Sequence, residues 1–274
     1  MTMTQKEKAL KFQELHRKPS VFLIPNPWDA GSARLLAGVG YEAFATSSAA
    51  AAGVLGRRDG QMSREESLAN ARIIVEATEL PVAADLEHGF GDDPAAAAET
   101  ISLAASLGLV GGSIEDARAD REQPIYDLTL ATERVAAAVQ AARSLPFPFT
   151  LAARAENYVR GNPNLDDTIK RLVAYEQAGA DVLFAPGLPD LAAVRAVCSA
   201  LSKPVNFAVG GRGRSFSVAE LAEAGVKRIS FAASFYRTAM TGLADAATEA
   251  REKGTFTFVD RAMLTPELNR FFPE

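Results

Sequence analysis

Short apolar runs recur along the chain, each followed by polar or glycine-rich residues and then by an Ala/Leu-rich stretch with helical spacing. They cover residues 21–25 (VFLIP), 42–46 (EAFAT), 81–85 (PVAAD), 109–115 (LVGGSIE), 149–154 (FTLAAR), 181–186 (DVLFAP), 204–209 (PVNFAV) and 228–233 (RISFAA). Near-continuous apolarity predicts strands buried on both faces, as in a parallel sheet, and the helical stretches supply the crossovers. LLAGVG, YEQAGA and AEAGVK each end a helical stretch in glycine just before a strand, where a left-handed C-cap is easiest to form. No Pro/Ser-rich linker interrupts the pattern. It predicts one domain over residues 1–274, a (β/α)8 TIM-type barrel with an N-terminal helix before the first strand and helices after the eighth. An open doubly wound sheet is the alternative; eight regular units without a composition break favour closure.

Composition narrows the function classes. The chain has 274 residues and a net charge of −5, with no concentrated basic surface of the kind nucleic acid requires. A single cysteine, Cys198, excludes an intramolecular disulfide and a cysteine metal cluster. It sits in a helical pattern and is expected to be a small core residue. The polar N-terminus lacks a signal-peptide core, and no charge-free apolar stretch is long enough for a bilayer. The expectation is a cytoplasmic protein with no membrane or nucleic-acid partner.

In a barrel of this type the chemistry sits where strands end. Here those ends carry Asn26 and Asp29, Ser47 and Ser48, Asp85 and Glu87, Glu115 and Asp116, Arg154 and Glu156, and Asn206. Asp85 and Glu87 are two apart, so a continuing strand points both the same way. With Glu115 they would form an acid cluster that repels itself unless a cation or proton joins it. Hard oxygen ligands suit Mg2+ or Mn2+; the alternative is acids that bond loop amides or cap helices. Arg154, closing an apolar strand, needs an anionic partner, either the acid cluster or a substrate carboxylate.

Seven fragments in order, FLIPNPWDAGSARLL, ATSSAAAAGVLGRRDGQMS, PVAADLEHGFGDD, GGSIEDA, LAARAENY, LFAPGL and PVNFAVGG, resemble the isocitrate lyase/phosphoenolpyruvate mutase superfamily, in its shorter bacterial branch. The resemblance implies Mg2+-dependent making or breaking of a bond alpha to a 2-oxo acid, through an enolate. It implies Asp85 as principal metal ligand, with Glu87 and Glu115 acting directly or through water and Asp59 nearby. Ser48, Ala49 and Ala50 match the loop that holds the oxo-acid carboxylate and enolate oxygen. Arg154 matches the substrate-binding arginine, and Asn206 a strand-seven polar contact. The implied substrate is a small 2-oxo or 2-hydroxy carboxylate of the pyruvate, glyoxylate or oxaloacetate type. C-terminal helices packed on a neighbouring subunit, in a homo-oligomeric dimer or tetramer, are implied as well. The aromatic-rich tail after Gly254 supports this, since a monomer would leave it as an apolar patch.

The departures are informative. Isocitrate and methylisocitrate lyases resemble each other in a KKCGH-type loop after the fourth strand; here that stretch is EDARADREQPIYD, with no Lys, Cys or His. The Lys-Asn pattern of phosphoenolpyruvate mutase is missing too. Efficient isocitrate or methylisocitrate cleavage is therefore not expected. Arg118, Asp120, Arg121 and Tyr126 are candidates for a lid, against the plainer expectation of solvated loop residues. His88 is expected in a packing or loop role and His16 on the surface of the N-terminal helix. Trp28 either lines the site or packs in the core. The loop GGRGRSFS at residues 210–217, with Arg212 and Arg214, is a candidate anion site or a flexible loop. Beside the lyase stand a phosphoenolpyruvate or phosphonate mutase or hydrolase, and an oxo-acid-binding protein without turnover.

Overall fold

In the computed structural model, which describes residues 3–118, 122–211, 213 and 215–272, every apolar run becomes a parallel strand. These are β1 (Phe22–Ile24), β2 (Phe44–Ala45), β3 (Val82–Asp85), β4 (Gly111–Glu115), β5 (Thr150–Arg154), β6 (Val182–Phe184), β7 (Val205–Ala208) and β8 (Arg228–Ser230). Each is shorter than its run, partly because bounding residues such as Pro25, Pro81 and Pro204 have no N–H for the ladder. The sheet runs β1-β8-β7-β6-β5-β4-β3-β2. Across the remaining seam the Ala45 N–H donates to the Pro25 carbonyl at 3.1 Å, which brings β2 against β1 and nearly closes the barrel.

The intervening helices are α2 (Ala30–Val39), α3 (Ser48–Val54), α4 (Arg64–Ala77), α5 (Pro94–Ser106), α6 (Leu128–Arg143), α7 (Leu165–Gln177), α8 (Leu191–Ser199) and α9 (Val218–Glu223), with α1 (Gln5–Arg17) before β1. Side chains start them: Asp29 and Ser32 form a reciprocal capping box on α2, as do Ser63 and Glu66 on α4. Gly40 ends α2 at φ 107°, a conformation that only glycine adopts without strain. Asp120, Arg121, Arg212 and Arg214 lie outside the described residues.

The bottom of the barrel is closed by α1. Phe12, Leu15 and His16 share one face of it, and Phe12 and Leu15 pack against Phe22, Ile24, Ala83 and Val110. His16 is thus buried, contrary to the surface position expected from its polarity. Its Nδ1 lies 2.8 Å from the Phe12 carbonyl, and its ring stacks edge-on with Phe12 and Phe22.

After β8, α10 (Ser234–Thr248), a π-helical turn (Glu249–Lys253), a 3-10 turn (Thr257–Arg261) and α11 (Thr265–Asn269) bury none of their residues. Met240, Leu243, Phe256, Val259, Met263 and Leu264 are exposed along them. Among the described residues no helix is long and apolar enough to cross a membrane.

Burial, reinforced by the nearby Arg228 charge, pushes His16 down from 6.5 to about 3. The folded protein therefore excludes a proton that the unfolded chain accepts, and His16 costs stability as the pH falls from 6.5 towards 3. Urea unfolding of wild type and His16→Gln across this range should show the wild type's margin shrinking by up to ~1.4 kcal/mol per pH unit. A margin independent of pH would contradict a neutral, buried imidazole.

Candidate active site

Strand register decides which side chains meet inside the barrel. Arg154 pairs with Phe184, Phe184 with Asn206 and Asn206 with Arg228, so all four project to the same face of the sheet. Small residues on neighbouring strands, among them Ala45, Ala83, Ser113, Ala208 and Ser230, leave a cavity of about 470 Å³ open towards the strand ends. That volume suits a small metabolite.

Arg154 organises the mouth. Its Nη1 lies 2.9 Å from Asp85 Oδ1, its Nη2 3.0 Å from Glu115 Oε2 and its Nε 2.9 Å from Glu156 Oε1. The guanidinium also lies over the Phe184 ring at 5.1 Å. Burial alone would lower its pKa, but the charges of Glu115, Glu156 and Asp85 overcome burial and hold it well above its usual value. Burial pushes Glu115 strongly upward against the pull of Arg154, and raises Glu156 likewise. Glu115 gains a second cation in Arg160, 3.3 Å from Oε1.

Asp85 is held from every side. Its Oδ1 accepts from Arg154 and, at 3.3 Å, from the Glu87 amide, while Oδ2 accepts from the Ser48 amide at 3.1 Å. The strand stops there. Glu87 adopts a left-handed conformation at φ 47°, so alternation does not apply and the shared-face argument for Asp85 and Glu87 fails. Glu87 is near the acids all the same: burial, then the charges of Asp85 and Asp59, push its carboxyl up to about 7. Its Oε1 is buried without a hydrogen-bond partner.

The other expected site residues separate into those on the cavity and those behind it. Asp59, Asp85, Ser48, Ala49, Arg154 and Asn206 line it; Ala50, Glu87 and Glu115 do not. Ala50 is fully buried, and its amide faces the Ser47 hydroxyl at 3.4 Å. Asn206 spends both ends of its amide inside the wall, accepting from Arg228 Nε at 2.8 Å and donating to Ser230 Oγ at 3.0 Å. Trp28 packs edge-on to Tyr236 rather than on the cavity. Tyr126 is not a solvated loop residue: it is buried, donates to Asp92 Oδ1 at 2.7 Å, and the guanidiniums of Arg118 and Arg134 lie over its ring. Cys198 is half-buried beside Gly225. Gly210 and Gly211 reach the cavity, so part of the glycine-rich loop borders the site.

Three residues that local pattern did not single out also shape this end. Arg134, on α6, donates to the carbonyls of His88, Gly91 and Asp92 and pins the loop that follows β3. His88 therefore contributes through its backbone. Arg160 pairs with Glu115, and Arg228 lies within the barrel. Arg228 begins β8 instead of ending it, so the strand-end logic that found Arg154 did not reach it. Arg134 and Arg160 read as ordinary surface charges.

Among the described residues no three His, Cys, Asp or Glu side chains are grouped closely enough to hold a metal ion directly. The donor set fits a different arrangement. Asp85 and Asp59 face the cavity, and Glu87 has a buried, unpartnered carboxylate oxygen with a raised pKa beside them. Surplus oxygen-borne charge of this kind suits a Mg2+ ion that uses one or two carboxylates and keeps several waters. Glu115 fits less well, because both its oxygens already face guanidiniums.

The family model of phosphoenolpyruvate phosphomutase matches residues 12–251. A solved structure from Burkholderia cenocepacia J2315, described as a lyase/mutase, superposes with a TM-score of 0.96 at 52% identity, covering 98% of this chain and 97% of that one. The structure of a 2,3-dimethylmalate lyase gives 0.85 at 27% identity over 96% and 94% of the two chains. The 2-methylisocitrate lyase of Escherichia coli K12 is 29% identical over 265 residues, 93% of this chain and 88% of that protein.

A carboxyl whose pKa is raised to about 7 is favoured as the neutral acid in the fold. Stability from Glu87 is full below its unfolded pKa and is lost as pH rises through 7. Glu87→Gln should therefore gain on the wild type between pH 5 and 8 in chelator-treated protein, read from melting temperatures. Equal pH dependence in both proteins would show that Glu87 does not titrate there.

Proposed function

The chain belongs to the phosphoenolpyruvate phosphomutase family, and on that premise we propose that it is a Mg2+-dependent carbon–carbon lyase or decarboxylase acting through the enolate of a small 2-oxo acid. The observation that carries this is the pairing of Arg154 with Asp85 at the rim of a small, polar-ended cavity. Asp85 would hold the ion, with Glu87 and Asp59 reaching it through water; Mn2+ would serve in the same place. When bound, the ion supplies Lewis-acid stabilisation of the negative charge that develops on the oxo oxygen.

This chain's residues do the remainder. Arg154 has each nitrogen on a protein carboxylate, and with an ion sharing the Asp85 charge it would turn part of its fork to the substrate carboxylate, a geometry that lysine cannot copy. Glu115 and Glu156 hold that fork in place from behind. Ser48 and Ala49 line the same cavity and would border the oxo-acid end. As the carbon–carbon bond breaks, its electron pair passes to the oxo-acid fragment, and these preorganised donors favour the enolate over the ground state. The 116–127 stretch offers no thiol, imidazole or ammonium, so isocitrate and methylisocitrate are poor candidates as substrates.

A mutase or hydrolase acting on phosphoenolpyruvate or a phosphonate is the second possibility, favoured by the family description and by the glycine-rich loop beside the cavity. Phosphate release from such compounds would distinguish it.

The exposed apolar residues of α10 and the tail are the natural contact for a second copy of the chain, giving a dimer or tetramer. Light scattering at micromolar concentration should return a multiple of the 29.1 kDa chain mass. A monomer would remove this proposal.

Activity is tested by incubating the protein with a panel of 2-oxo and 2-hydroxy dicarboxylates and identifying the products. Turnover should need a divalent cation. Asp85→Asn keeps the size but removes the charge and one of the two acceptor oxygens that Ser48, Glu87 and Arg154 use, and should lower turnover by roughly 100-fold or more. Full activity in chelator, or in Asp85→Asn, would sink the metal assignment.

A further inference from the structure

We propose that Arg228, on the floor of the cavity, is an anion subsite that takes the remote carboxylate of a dicarboxylic ligand. The argument starts from a contrast between the two arginines that line this cavity from within strands. Arg154 has carboxylates on three of its nitrogens. Arg228 is only 7% exposed and, among the described residues, has no carboxylate within ion-pair distance.

Its partners are uncharged. Nε donates to Asn206 Oδ1 at 2.8 Å, and Nη1 lies 3.4 Å from His16 Nε2. His16 cannot act as a counter-ion. Its Nδ1 faces the Phe12 carbonyl as donor, which leaves Nε2 an acceptor, and burial keeps the ring neutral. Burial pushes the guanidinium down to about 10, still well above neutrality, so the charge persists. A cation withdrawn from water without a counter-charge is strongly unfavourable unless an anion joins it.

Geometry supports a ligand there. The two engaged N–H groups leave three of the guanidinium's five without a hydrogen-bond partner among the described residues. Asn206, itself anchored on Ser230, fixes the fork's orientation. Asn206 is thereby a positioning residue for Arg228. Two inward-facing residues, Phe184 and Asn206, stand between Arg154 and Arg228 in the register row, so the two cations mark different parts of one cavity. A ligand that satisfies both carries an anionic group at each end. The assignment rests on the 2-oxo-acid proposal only for what lies at the Arg154 end.

Matched ligand pairs test it, by calorimetric titration into the full chain with Mg2+ present. 2-Oxoglutarate is compared with 2-oxovalerate, and succinate with butyrate; each pair differs by one terminal carboxylate. Wild type should bind the dicarboxylate of each pair roughly 10- to 100-fold more tightly, the range for one charged hydrogen-bonded contact. Arg228→Met should erase that preference, leave the monocarboxylates within about two-fold, and melt no earlier than wild type, since it removes an unpaired charge. Arg228→Lys keeps the charge without the fork and should lose roughly 10-fold for dicarboxylates; it also serves if the methionine variant does not fold. A wild type without the preference, a preference that survives in Arg228→Met, or one left undiminished in Arg228→Lys overturns the subsite. The succinate and butyrate pair contains no oxo group, so its result stands even if 2-oxo acids are neither bound nor turned over, which would count against the lyase proposal alone.

Discussion

One guanidinium sits among carboxylates delivered by the ends of β3, β4 and the segment after β5, and the open end of the barrel is arranged around it. Arg154 is within 3.0 Å of Asp85, Glu115 and Glu156. Each of these groups is costly to bury alone, and removing the guanidinium they share leaves uncompensated carboxylates, at a cost on the order of several kcal/mol. The three acids outnumber the local cations, Arg154 and Arg160, and Glu87 adds a fourth acid nearby. Burial raises Glu115, Glu156 and Glu87, so the carboxyls are crowded here at a cost that either a proton or a hard cation relieves. The same arginine can turn part of its fork towards a ligand once such a cation shares the load.

That balance needs a stiff frame, and buried hydrogen bonds supply it. Asp116 Oδ1 accepts from the Glu156 amide at 2.8 Å, and its Oδ2 accepts from Arg171 and from the Tyr175 hydroxyl. Burial raises Asp116 even so, and these donors keep the group satisfied. Arg134 threads into the loop after β3 and ties its carbonyls to α6, with Tyr126 and Asp92 alongside. Such networks fix the loops from which Glu87 and Glu156 project. At the bottom α1 packs Phe12, Leu15 and His16 under the barrel, all three buried.

Legibility followed the range of the interaction responsible. The strands could be read directly, because a strand buried on both faces must be apolar at consecutive positions whatever its neighbours are. Two of their ends could be read as well, so Asp85 and Arg154 were found by position and lie on the cavity; Asn206 lies there too, but from within β7 and not at its end. The relation between Asp85 and Glu87 could not. Two-residue alternation holds only while the strand continues, and the Glu87 amide turns back to Asp85 at φ 47°. His16 was misplaced for a similar reason: its polarity says surface, but α1 is a plug whose inner face has room and a carbonyl for an imidazole.

By itself, then, the sequence determined the alternation of strands and helices, the barrel class and the rim on which ionisable residues gather, all consequences of local periodicity and of polarity at strand ends. Which charges pair was decided only in the folded chain. Arg154 and Arg228 both adjoin apolar runs, yet the first meets three carboxylates and the second an amide and a neutral imidazole. Partners in those contacts are separated by up to 212 residues in the chain, as Arg228 and His16 are. Electrostatic balance depends on distances across the barrel, and those are set by strand register and by what closes its floor, neither of which leaves a local mark in the sequence.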